Sequence, residues 1–269
     1  MKVESSWVRF PIARKNLLRI FWQLVSSFKF TIMYKYHCEN IEEIEGAIRL
    51  VELDLRRYIS IQQEKHSYKY TKLLSYLITC WTEVRILKLA YEKNGFSQYE
   101  RDIIISAGTL NDKWITALDI AICKAYGINK NLDIATQLQF TARVRYNELK
   151  NLISSDLLPS IEIRNRIAHG QWKIAFTNNL RNTSSPLTGQ LRLENIVLLQ
   201  LKKKLLIGLS SLIHDLAVSP LTFERDFDKN YKLIEQNKRN LHKRDFCLYK
   251  QKMIDKYQRG IVKRNEATS

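Results

Sequence analysis

The sequence predicts a mainly helical fold, a bundle with a short β-hairpin late in its core and additional helices at both ends. Three observations predict it. Apolar residues recur at offsets of three and four along nearly all of the 269 residues. Turn formers are scarce: there are eight Gly and four Pro, where average usage gives roughly nineteen and thirteen. That scarcity argues for long helices and against a many-stranded sandwich or barrel. Finally, 45% of residues are hydrophobic, enough at this length to bury a core without disulfide staples.

The elements follow in order. Ile41, Ile44, Ile48, Val51, Leu55 and Ile59 form one stripe, with acidic residues near its start and Arg56 and Arg57 near its end. This polarity matches the helix dipole and predicts a helix over about 41–64. The stretch from Leu17 to Met33, interrupted by Arg19 and Lys29, is a poor membrane span and reads as an amphipathic or buried helix. A run over about 68–93 is apolar around much of its girth, stops at Asn94-Gly95, and should be central to the core. Shorter helices are expected over about 97–106, over about 111–126 with Gly127 as the stop, and over about 134–152.

The segment SSDLLPSIEIRNRIAHG reads as a separate compact helix. Ser155 or Asp156 can cap it, Pro159 suits the first turn and Gly170 supplies the stop. QWKIAF then alternates roughly and is followed by a stretch rich in Asn, Ser, Thr, Pro and Gly. Together they predict the hairpin. A long helix over about 192–218 ends at Ser219-Pro220. From Leu221 onward there are thirteen Lys/Arg against seven Asp/Glu, which reads as one or two basic helices and a frayed end after Gly260. The expected organisation is an N-terminal helical extension over 1–66, a helical core over 67–219 and a basic C-terminal extension over 220–269.

Composition narrows the function. With 44 Lys+Arg against 27 Asp+Glu, the net charge is +17 and the pI about 9.7, so an anionic partner is expected, nucleic acid first. Cys38, Cys80, Cys123 and Cys247 are widely spaced, with no CxxC pair and no Cys/His cluster. Neither a disulfide framework nor a metal site is expected, nor any cofactor. The opening residues do not read as a secretory leader, and a cytoplasmic protein with no membrane span is expected.

The residues that carry chemistry are Arg164-Asn165-Arg166-Ile167-Ala168-His169-Gly170. Asn165 and His169, four apart, share a helix face, whereas Arg164 is rotated from His169 by about 140°. Convergence of Arg164 and His169 therefore needs the reach of the Arg side chain and an opening last turn. The carbonyl end of a helix attracts positive charge, and Arg supplies a permanent one with several donors. Within the central run, Glu83 needs a cation, which Arg164 or Arg85 could supply. A second reading stays open, in which His169 bonds its own helix carbonyls and Arg164 forms a surface ion pair. Glu162 and Arg166 read as an ordinary i, i+4 pair, and Asp119 resembles Glu83 more weakly.

The stretch RNRIAHGQW resembles the HEPN domains, helical bundles whose signature is an Arg and a His separated by four to six residues, here the four from Asn165 to Ala168. Many of them are ribonucleases. The resemblance covers about ten residues specifically, and residues 68–218 in helix order. It implies Arg164 and His169 as catalytic residues supported by Asn165 and Glu83, and a homodimer placing two copies of the motif across one cleft. It implies RNA as substrate, cut without a metal by 2′-hydroxyl attack, in a bacterial toxin or anti-phage defence effector. It leaves room for an inhibitory or activating protein partner. Relatives silenced by modification carry a Tyr two residues after the His, whereas this chain has Gln171. The alternative is a non-catalytic RNA-binding or scaffold subunit that acts through its basic terminal helices, with Lys238, Arg239, Lys243 and Arg244 as the contact residues.

Overall fold

The computed structural model describes residues 12–129 and 131–268, with side chains described over 30–129 and 131–267. The expectation about a leader falls largely on residues 1–11, outside the described residues. The chain is mainly helical. α1 (Ile12–Ser60), α2 (Glu64–Ala90), α3 (Gln98–Ser106), α4 (Leu110–Tyr126), α5 (Ile134–Gln137) and α6 (Phe140–Leu152) lead through a π-helical turn (Ile153–Leu157) into α7 (Leu158–Ala168). α8 (Ser185–Leu193), α9 (Ile196–Val218), α10 (Pro220–Lys243) and α11 (Phe246–Thr268) complete it.

Local punctuation sets many of the boundaries. Ser97 and Glu100 form a capping box at the start of α3, and Thr109 and Asp112 form one at the start of α4. Gly127 closes α4 at φ +63°, a left-handed conformation that costs glycine nothing. Pro220 opens α10 directly after α9 ends, in a first turn where its missing N–H is no loss.

α2 is the central element. It packs on α1 along one side and on α7, α9, α4 and α3 elsewhere. Leu74, Ile78, Ile86 and Leu89 of α2 meet Trp114, Leu118 and Ile122 of α4 and Leu205, Leu209, Leu212 and Leu216 of α9 in one core. Each fully buried aliphatic side chain contributes about 1.5–3 kcal/mol. That core continues through both boundaries drawn from sequence at 66/67 and 219/220, since Ile48, Leu55 and Ile59 of α1 and Phe223, Phe227 and Ile234 of α10 belong to it. α9 and α10 cross closely at Gly208, where a Cβ would stand 2.7 Å from Ile234 Cγ1.

Several expectations need correction. No strand forms among the described residues, so the β-hairpin reduces to one isolated antiparallel bridge, Phe176 to Thr183. Thr177 N–H and Ser184 N–H donate across this loop to Asn182 O and Ala175 O at 2.8 and 2.7 Å. The half expected to return as a second strand instead winds into α8, with Pro186 in its first turn, a position that suits proline better than a strand does. The motif helix does not start with a Ser155 or Asp156 cap, because α6 continues into it through the π turn without a break. The first helix begins well before residue 41, and α11 runs on past Gly260 to Thr268. No described helix is long and apolar enough to cross a membrane.

Candidate functional site

The 164–169 segment occupies the last turns of α7. Ile163 and Ile167, four apart, point inward and pack with Ala175 and Leu191 in a small second core flanked by Tyr76, Trp172 and Leu187. This cluster fixes the rotation of α7, and with it the directions of the polar residues between its apolar ones. His169 is the C-cap residue, and Gly170 follows at φ +76°. Gly170 N–H bonds Ile167 O at 3.1 Å, and Gln171 N–H reaches back to Arg166 O at 2.9 Å. Such reversed bonds satisfy helix-end carbonyls and need a left-handed residue where Gly170 stands.

The loop after the motif is tied down as well. Trp172 Nε1 donates to Ile167 O at 3.0 Å, and the Tyr68 hydroxyl donates to Trp172 O. Gln171 accepts from Phe176 N–H through Oε1 at 2.8 Å.

The structure joins two of the candidate residues across the α2–α7 seam. Arg164 Nη2 donates to Glu83 Oε2 at 2.6 Å, with the side chains 19% and 46% exposed. Glu83 is thus half-open rather than buried, and its cation is Arg164. Arg164 Nε is buried with no hydrogen-bond partner. Beside it lie Tyr76 and Cys80, one turn apart on α2. Burial pushes the Cys80 thiol up, while the Tyr76 hydroxyl and the Arg164 charge act in the opposite sense.

The structure does not join Arg164 to His169 through a hydrogen bond among the described residues. His169 and Asn165 are exposed on the outer face of α7, while Arg164 turns towards α2. Only the backbones connect the first pair, His169 N–H to Asn165 O at 3.1 Å. Arg166 donates to Asn178 Oδ1 at 2.5 Å rather than pairing with Glu162. Asp119 accepts the Tyr146 hydroxyl at 2.8 Å, and burial raises its carboxyl.

The C-terminal candidates divide. Lys238 is held by Asp156 of the π turn at 2.9 Å, and Arg239 by Glu235 at 3.6 Å. Lys243 and Arg244 are exposed where α10 ends.

Sequence reading missed a sealed charge cluster near the motif. Lys72 of α2 lies 4.0 Å from Glu194 Oε2, with side chains 1% and 3% exposed. Lys72 Nζ also donates to Leu191 O. Ser75 Oγ donates to Glu194 Oε1 at 2.9 Å, and Lys202 approaches from the rim at 3.7 Å. No local signal announced it, since Lys72 follows Lys69, Tyr70 and Thr71 in the polar start of α2.

Among the described residues, no group of three or more His, Cys, Asp or Glu side chains is placed to hold a metal ion. Comparison with protein-family profiles, with curated proteins and with solved structures found no match to this chain.

Proposed function

We propose that the chain is a metal-independent endoribonuclease of HEPN type. It would act as a cytoplasmic homodimer, in the manner of a bacterial toxin or anti-phage defence effector. The observation that carries the reading is the division of labour within one motif. Arg164 is anchored by Glu83 at 2.6 Å, while His169, five residues on, stands exposed at the helix end on rigid supports.

The chemistry follows from what each group can do. The RNA 2′-hydroxyl attacks the neighbouring phosphorus as a base removes its proton. The 5′-oxygen leaves as an acid protonates it, giving a 2′,3′-cyclic phosphate and a 5′-hydroxyl. Arg164 neutralises charge on the phosphorane, and Glu83 orients it. One imidazole cannot hold the base and acid roles at once. His169 of each of two protomers would divide them, and its exposed position leaves it accessible to a second copy.

The test is cleavage of single-stranded RNA in chelator, with end-group analysis. His169→Ala should lower the rate by about 10²–10⁴ with an unchanged thermal midpoint. Intact RNA with wild-type protein, or equal cutting by His169→Ala, would overturn the reading. The burial of Arg164 behind its ion pair favours a second reading, an RNA-binding subunit that does not cut. In that case Arg164→Ala and His169→Ala would leave RNA affinity unchanged.

A further inference from the structure

Among the described residues, α11 carries an excess of positive charge away from the motif, six Lys/Arg against two Asp/Glu. Lys252, Lys256, Arg259 and Lys263 are all exposed. Their spacings of four, three and four residues place them within an arc of about 60° and along about 16 Å of helix. The rest of the helix is engaged: Ile254, opposite the row, is buried, and Phe246, Tyr249 and Met253 on one flank pack on the core. α11 is therefore held against α1 and α9 and displays one straight row of cations to solvent.

None of these four cations forms an ion pair among the described residues. Several basic residues nearby are instead spent on acids. Lys250 pairs with Glu64, Lys238 with Asp156, Arg239 with Glu235 and Arg225 with Asp226. The acid beside the row, Asp255, accepts a hydrogen bond from Gln251 Nε2 at 2.8 Å.

A row of unpaired cations could face a lipid surface, an acidic protein or a nucleic-acid backbone. A helix that lies in a membrane interface buries a continuous apolar face among the acyl chains, whereas Phe246, Tyr249, Met253 and Ile254 of α11 are spent on the bundle and, of its large apolar side chains, only Leu248, Tyr257 and Val262 remain exposed. A straight line of charges about 4.5–6 Å apart along the axis complements a linear polyanion better than a compact one. We infer that the α11 row of Lys252, Lys256, Arg259 and Lys263 is a phosphate-backbone track for single-stranded nucleic acid, reading charge rather than sequence. For the proposed ribonuclease it would hold RNA, yet it does not depend on cleavage at 164–169.

The experiment is a fluorescence-anisotropy titration of full-length protein with labelled oligouridylate and with the matching single-stranded DNA, across a salt series. DNA lacks the 2′-hydroxyl and cannot be cut, so binding is measured whether or not the cleavage reading holds. Four phosphate contacts should contribute a log–log salt slope of about −2.8, a loss of roughly 50-fold in affinity between 50 and 200 mM salt. The fourfold variant Lys252→Gln, Lys256→Gln, Arg259→Gln, Lys263→Gln should lose that slope on both ligands while keeping its helical circular dichroism. Exchanging Lys for Arg and Arg for Lys at the same positions should preserve binding. Equal affinity and slope in the wild type and the Gln variant would overturn the inference. So would failure of the wild type to bind either strand, or tighter binding to phosphatidylserine vesicles than to RNA.

Discussion

Two charged seams leave the same helix within a few turns of each other and are built in opposite ways. Lys72 meets Glu194 out of contact with water, with Ser75 and the Leu191 carbonyl completing the cluster. Glu83 meets Arg164 at the surface, with nearly half of the carboxylate side chain exposed. In the sealed seam, burial lowers the Lys72 ammonium and raises the Glu194 carboxyl, so desolvation outweighs mutual attraction on both sides. Burial closes such a pair to a ligand, although Glu194 Oε2 has no hydrogen-bond partner, and the pair joins α2 to the α8–α9 connection. The open seam keeps its charge close to solvent and to the exposed end of α7. The comparison teaches that a carboxylate–cation pair on an apolar helix is structural or chemical according to what seals it.

Breaking the sealed seam should have the largest effect on stability. Lys72→Met strands a buried carboxylate and should cost about 3–5 kcal/mol, measured by urea unfolding. Adding Glu194→Leu should recover much of that loss, because replacing both partners of a buried pair by apolar groups is often neutral. Glu83→Gln is the matching test of the open seam. It should cost at most about 1 kcal/mol in the same assay and, on the proposed ribonuclease reading, slow RNA cleavage more than its stability loss explains, with His169→Ala as the reference. A proportionate loss of both would make the open seam structural too.

The smallest effect is expected farther along α2. There Glu92 accepts from Lys88 at 2.9 Å and from the Tyr34 hydroxyl at 2.8 Å. Burial works to raise the Glu92 carboxyl, but these two hydrogen bonds prevail and hold it below its ordinary value. A carboxyl lowered on folding adds stability above its unfolded pKa, and that stability is lost as pH falls through the folded value. Glu92→Gln should therefore flatten the acid limb of the stability profile and slightly lower the neutral plateau, measured by thermal melts from neutral pH downward.

What was legible in the sequence was local. The helix after Ser97, the stop at Gly127 and the stop at Gly170 are each written within a few residues, because capping bonds span only one turn. The pairing of Glu83 with Arg164 was legible as one of two options, since a carboxylate in an apolar run demands a cation. The sealed cluster was not, because Ser75 and Glu194 are 119 residues apart and nothing local announces the meeting. α8 was hidden by its composition: Ser184, Ser185, Pro186 and Thr188 read as a turn but start a helix equally well. The unpaired row on α11 was legible only as net charge. Whether a lysine is spent on a neighbour, as Lys238 is on Asp156, is decided by packing.

The seat of α11 on α1 also bears on the order in which the molecule assembles. Lys250 reaches Glu64 across 186 residues, so this contact closes a very long loop and cannot precede synthesis of the intervening bundle. Pairings of such separation form late. Until α11 arrives, the flank of α1 that it covers is exposed on a nascent chain that already carries the motif helix. The same docking step that hides this flank also presents the cationic row, so nucleic-acid capture through α11 would be gained at the end of folding rather than during it.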